Sequence, residues 1–168
     1  RLKVDVGKDF STISDYDGAR FYLGYDEGVL YVAGDVADDA IVNNYSGDRL
    51  WNGDAVEVFV DLKPGVNPLS HNYTSDCFQF IFAPTSVDGR PAMAVKSPGM
   101  PPDHVANHTQ FAVRKTDSGW TFEAAIARAE INDYVPRPGG AIGFNIQLDD
   151  SDGGDRISEK LWRGDKDA

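Results

Sequence analysis

Cys77 is the only cysteine among 168 residues, and that scarcity removes two chemistries at once. No internal disulfide can form, and no thiolate cluster can hold a metal. Basic residues are also short: 16 Lys and Arg against 27 Asp and Glu leave a formal net charge of -11. Phosphate backbones and anionic membrane surfaces repel such a chain, so nucleic acid is not an expected partner. Long apolar runs are missing as well. None approaches the roughly 20 residues that cross a bilayer, and no membrane insertion is expected. The sequence has no Gly-x-Ser-x-Gly elbow, no phosphate loop and no Rossmann fingerprint. The acids themselves are lopsided, with glutamate only at Glu27, Glu57, Glu123, Glu130 and Glu159 and aspartate making up the rest.

Aspartate forms turns readily and helices poorly, so this bias suits short loops between strands. Loop carboxylates also suit calcium, a hard cation that prefers oxygen ligands. Asp35, Asp38, Asp39, Asp61 and Asp76 fall at expected strand ends and are the candidate calcium ligands. The run Asp149-Asp150-Ser151-Asp152-Gly153-Gly154-Asp155 resembles part of a calcium loop. It lacks the closing glutamate of an EF-hand and reads equally as a hairpin turn.

What the sequence does have is alternation. Residues 54–61 put Val56, Val58 and Val60 on one face and Glu57, Phe59 and Asp61 on the other, with Trp51 just upstream. Residues 77–83 put Phe78, Phe80 and Phe82 inward and Cys77, Gln79, Ile81 and Ala83 outward. Residues 141–150 put Ile142, Phe144, Ile146 and Leu148 inward and Asn145, Gln147 and Asp149 outward. Hairpins are expected at 19–26/29–36, around Asp26-Glu27-Gly28, and at 109–116/119–127, around Asp117-Ser118-Gly119. Short strands are expected at 2–6 and 92–96, a long loop over 37–53, and a brief helical turn near 127–133. Eight or more short strands with almost no helix predict an all-β fold, a β-sandwich of two antiparallel sheets, in one domain over 1–168. The chain opens at Arg1 and is expected to be a piece of a longer protein.

The face carrying Trp51, Glu57, Phe59 and Asp61 has the chemistry of a sugar-binding surface. An aromatic plate covers the apolar C–H face of a pyranose and carboxylates accept from its hydroxyls; the alternative is a solvated sheet face beside a packed tryptophan. A glycosidase pair is not expected there. Glu57 and Asp61 stand roughly 13 Å apart at about 3.3 Å per residue, wider than the roughly 5–9.5 Å that either hydrolytic geometry uses. His71, His104 and His108 all lie in loop sequence and make a weak zinc set. Arg163-Gly164-Asp165 spells an adhesion tripeptide short enough to arise by chance.

Three stretches together resemble the family 9 carbohydrate-binding modules of bacterial polysaccharide-degrading enzymes. They are Trp51-x-x-Asp54-Ala55-Val56-Glu57-Val58-Phe59-Val60-Asp61, Gly119-Trp120-Thr121-Phe122-Glu123-Ala124-Ala125-Ile126 and Ile142-Gly143-Phe144-Asn145-Ile146-Gln147, followed by Arg156 and Trp162. The resemblance runs from about residue 20 to the end. It implies a calcium-binding β-sandwich that is not an enzyme, exported to an extracellular or periplasmic space as a monomeric module of a larger protein. It also implies a sugar clamped between Trp51 and Trp162, with Glu57 as a contacting acid and Gln79, Asn145, Gln147 and Arg156 as the polar groups nearby. Two departures are visible. Where that family can use an arginine and an asparagine on the strand matching 77–83, this chain offers only Gln79. It also stops at Ala168, where the family usually continues for one more strand. Two other functions stay open: a b-type haem domain on a similar sandwich, with Met93, Met100 and the histidines as axial candidates, and an interaction domain without sugar binding.

Overall fold

The computed structural model describes residues 2–5 (backbone only), 18–64, 73–101, 104–135, 137 and 139–162. It is all-β, a sandwich of two antiparallel sheets with two short 3-10 turns among the described residues, as the alternation predicts. The chain divides into two compact units, Arg1–Ile41 with Asn107–Pro136 and Val42–Ala106 with Arg137–Ala168.

The first unit holds β1 (Leu2–Asp5), β2 (Ala19–Tyr25), β3 (Val29–Ala37), β7 (Thr109–Thr116) and β8 (Gly119–Ala127), in the order β1-β2-β3-β8-β7. Period-two patterning sends Phe21, Val32, Val36, Trp120, Phe122 and Ile126 to one buried face. The β2–β3 turn is set by Asp26, whose Oδ1 accepts from the backbone N–H of Gly28 (2.8 Å) and Val29 (2.9 Å). Gly34 is required by its neighbours, since a Cβ there would stand 2.6 Å from the Phe122 ring.

The second unit holds β4 (Ala55–Asp61), β5 (Cys77–Ala83), β6 (Ala92–Lys96), β9 (Gly143–Asp150) and β10 (Ser158–Leu161), in the order β10-β9-β4-β5-β6. β4 lies at the centre, between β9 and β5. One face buries Val56, Val58, Val60, Ile146, Leu148 and a ladder of Phe78, Phe80 and Phe82, whose successive ring centroids are 6.4 and 6.2 Å apart. Fully burying such a side chain contributes roughly 1.5–3 kcal/mol.

The opposite face departs from expectation. Patterning reads it as solvent-facing, yet Ala55, Glu57, Ile81, Ala83, Gln147 and Asp149 on it are all buried. For Ala55, Ile81 and Ala83 the physical reason lies in the stretch read as loop over 37–53, which contains a 3-10 turn, Gly47–Asn52. Leu50 of that turn is fully buried in a small apolar cluster with Ala55, Ile81 and Ala83, and Trp51 packs on the same cluster. Asn43 fixes the turn from below: its side-chain amide donates to the carbonyls of Leu50 (2.7 Å) and Asp54 (3.1 Å). Asp54, fully buried, accepts at Oδ1 from Ser151 N (2.7 Å) and at Oδ2 from Val42 N, tying the start of β4 to the β9–β10 connection.

Candidate functional site

Strand register brings the polar face together. Glu57 of β4 is flanked by Gln147 on β9 and Ile81 on β5, with Gln79 two residues before Ile81; Asp149 of β9 pairs with Glu159 of β10. Gln147 donates through Nε2 to Glu57 Oε1 and Asp149 Oδ1, each at 2.8 Å, and Gln79 Nε2 donates to Glu57 Oε2. Arg156 enters from the β9–β10 connection. Its guanidinium lies 2.6 Å from Asp149 Oδ1, 2.5 Å from Glu159 Oε2 and 3.9 Å from Glu57 Oε1. The same guanidinium stands over the Trp51 ring, 4.8 Å from its centroid, in cation–π geometry.

Three carboxylates thus share one guanidinium in a site closed to water on its sheet side. Burial of carboxylates is costly unless charge and hydrogen bonds offset it, and here two glutamine amides and one arginine supply the donors. Burial and the adjacent Glu57 charge nonetheless push Asp149 well above the usual carboxylate range, against the lowering by Gln147 and Arg156. Trp51, Arg156 and Glu159 are partly exposed members of the network. A ligand bringing hydroxyl donors and an apolar face for the indole would complement it.

Of the sequence-predicted residues, Trp51, Glu57, Gln79, Gln147 and Arg156 form one connected constellation. Asn145 lies on the same face of β9 by register, opposite Phe59, and its Oδ1 accepts from Ile146 N (3.0 Å). Trp162 follows the last residue of β10; its backbone N–H donates to Ile146 O (2.8 Å). Leu161 pairs with Gln147, so alternation gives Leu161 to the Glu57 face, while Trp162, one residue beyond the strand, follows beside Ile146 of the opposite face at the edge of the same sheet.

Asp149 and Glu159 complete the network, and sequence reasoning assigned neither a sugar-binding role, reading Asp149 only as part of a candidate calcium loop. The available signal was chemical: Asn145-x-Gln147-x-Asp149 is a run of compact hydrogen-bonding side chains where a solvated face would favour lysine or threonine. Tyr73 is a further aromatic beside this face. It is 66 % exposed, and desolvation, with the charges of Cys77 and then Glu57, raises its hydroxyl above the ordinary value.

The metal candidates divide between the units. Asp35 lies on β3, with Asp38 and Asp39 just beyond; Asp61 ends β4 and Asp76 precedes β5. Asp76 pairs with Lys63 Nζ at 2.8 Å, and Asp61 Oδ1 accepts from Lys63 N at 2.9 Å. Among the described residues no three His, Cys, Asp or Glu side chains converge as a metal ion would need. The acidic run forms the β9–β10 connection: Asp150, the last residue of β9, accepts from Ser158 Oγ (3.0 Å), and Asp155 accepts from Asn52 (3.1 Å) and Tyr45. His104 and His108 are exposed and Met93 is a β6 residue opposite Phe82; His71 and Arg163-Gly164-Asp165 lie outside the described residues.

Comparison with known proteins bears on the family and the fold. The family described as carbohydrate family 9 binding domain-like matches residues 5–168. The endo-1,4-beta-xylanase A of Thermotoga maritima is 30% identical over 145 residues, which is 86% of this chain and 12% of that enzyme. The chain therefore spans about an eighth of that relative's length. Among solved structures, a family 9 carbohydrate-binding module of Caldicellulosiruptor kristjanssonii in complex with cellotriose aligns with a TM-score of 0.67 at 20% identity, covering 96% of this chain and 69% of that one. The module from that organism in complex with glucose aligns at 0.63 and 21% identity, covering 90% and 69%. With the profile spanning nearly the whole chain, the protein belongs to the carbohydrate family 9 binding domain-like family.

Proposed function

We propose that this chain is a non-catalytic module that binds a neutral sugar over the Glu57 face and targets an attached protein to glycan. The observation that carries it is the single constellation of indole, guanidinium and buried carboxylates joining Trp51, Arg156, Glu57 and Asp149. A pyranose presents an apolar C–H face to the ring and hydroxyl donors to the carboxylates, while the guanidinium and the two glutamine amides hold those carboxylates in place. Trp162 is proposed as the second plate, approaching from the sheet edge. The ligands of the structural neighbours, cellotriose and glucose, support β-linked glucose oligomers as the first class to test.

Binding without turnover is proposed on the family and is supported by the same contacts. Glu57 and Asp149 are both buried and held by Gln147 and Arg156, so neither stands open to water as a hydrolytic pair would. Export and attachment to a polysaccharide-degrading enzyme are proposed on the xylanase relative. Calcium is proposed on the aspartate-rich loops alone, and no step of sugar binding depends on it.

The test is a glycan array probed with the wild-type protein and with Glu57→Gln, followed by incubation with cellotriose and xylotriose and a reducing-end assay. Signal on neutral glycans, weakened in the variant, with no new reducing ends is expected. An empty array would overturn the sugar reading, and turnover lost in Glu57→Gln would overturn the non-catalytic one.

A further inference from the structure

A second concave surface lies on the other unit, and the Glu57 site makes no use of it. The face of β2-β3-β8-β7 turned away from Phe21, Val32 and Phe122 is hollowed into an open trough of about 860 Å³. That volume falls within the roughly 300–1,000 Å³ typical of ligand sites. Register explains the hollow: Gly24 stands opposite Tyr31, and Ala33 and Ala112 both stand opposite Glu123, so small side chains floor the middle of the sheet. Four strands at about 4.8 Å spacing make the trough about 14 Å wide, longer than a single pyranose ring.

The side chains around it favour a neutral ligand. Arg20 and Arg114 stand against Asp35 and Glu123 on this face, with Asp26 at its rim, which leaves it close to neutral while the whole chain carries -11. A polycation would find stronger sites elsewhere on such a chain, and a polyanion would gain nothing from a balanced patch. Tyr22 and Tyr31 are half-buried, and their hydroxyls donate to Asp35 (3.4 Å) and Asp26 (2.8 Å), which holds both rings in position. Fixed rings, exposed carboxylates and the Gln110 amide along a floor of small residues offer stacking and hydrogen bonds over several sugar units.

We propose that this trough is a second carbohydrate site, taking the interior of a neutral glycan chain across β2, β3, β8 and β7. It lies on a different sheet from the Glu57 constellation, so the two sites can be read separately. The 15N-labelled protein is titrated with cellohexaose and with xylohexaose. Saturable shifts are expected at the amides of Ala33, Ala112, Glu123 and Ala125, and they should persist in Trp51→Ala. Glu123→Gln and Tyr22→Ala should each weaken those shifts by about three- to tenfold, the worth of one hydrogen bond or one stacked ring, while leaving shifts around Glu57 and Gln147 unchanged. Shifts confined to the Glu57 face, or none on β3, β7 and β8 with either hexasaccharide, would overturn the proposal. So would movement of the trough amides on concentrating the protein without sugar, because the occupant would then be a second copy of the chain.

Discussion

Arg156 is the residue on which the polar face depends. Its guanidinium reaches Asp149, Glu159 and Glu57 and also covers Trp51, so one side chain links the charge of the site to its aromatic plate. Asp149 shows the cost of that arrangement. Its folded value is raised above the ordinary carboxylate value, so between the two values the folded state holds a proton that the unfolded state has released. Stability from this group therefore increases as pH falls through that window and is lost as pH rises through the raised value. Melting curves of wild type and Asp149→Asn between pH 4 and 7 should show the variant gaining less on acidification. Parallel pH dependences would mean that Asp149 is ionised in the folded protein throughout the range.

At the scale of elements, the alternation of β4, β5, β7 and β8 was legible in the sequence because each strand has one apolar face and a turn signal at its end. β5 and both strands of the second hairpin occur at the expected residues, and Phe78, Phe80 and Phe82 point into the core as their spacing predicts. The candidate site was legible in part. Glu57, Gln147 and Arg156 could be named, but their burial could not, because period-two patterning assigns one face to solvent and has no means of seeing a distant turn fold over it. Leu50 and Trp51 do that here over Ala55, Ile81 and Ala83, with Asn43 holding the turn through the Leu50 carbonyl, and Arg156 comes in over Glu57 and Asp149. Trp120, in β8, separates packing from binding. It is 1 % exposed and packs 5.6 Å from the Phe122 centroid. Trp120→Ala should lower stability by about 3–5 kcal/mol, the usual cost of emptying a large aromatic site, yet leave sugar affinity unchanged when measured below the melting temperature. An affinity loss at the Glu57 face in still-folded Trp120→Ala would contradict this separation of packing from binding.

Across the whole molecule, an excess of acid is the dominant property, and it raises the question of what offsets it. Part of the answer is internal, since Asp26, Asp54, Asp150 and Asp155 all accept hydrogen bonds that shape turns. Calcium would be a further means. If it binds, a chelator should lower the melting temperature and added calcium restore it; an unchanged melt would mean the aspartates act as turn formers and solvated charge.

Sugar binding at the Trp51 end of the Glu57 face is tested most directly by isothermal titration of cellotriose into wild type, Trp51→Ala and Trp162→Ala, with circular dichroism confirming the fold of each. Apolar burial of about 25 cal/mol per Å² is offset in part by ordering of the ligand, so modest wild-type affinity is expected. Trp51→Ala should also melt somewhat earlier, because the ring packs on the Leu50 cluster. The predicted result is heat of binding in the wild type, at least about a tenfold loss in Trp51→Ala, equivalent to about 1.4 kcal/mol, and a comparable loss in Trp162→Ala if its ring closes over the sugar. Full affinity in folded Trp51→Ala would contradict the placement of the sugar on this face.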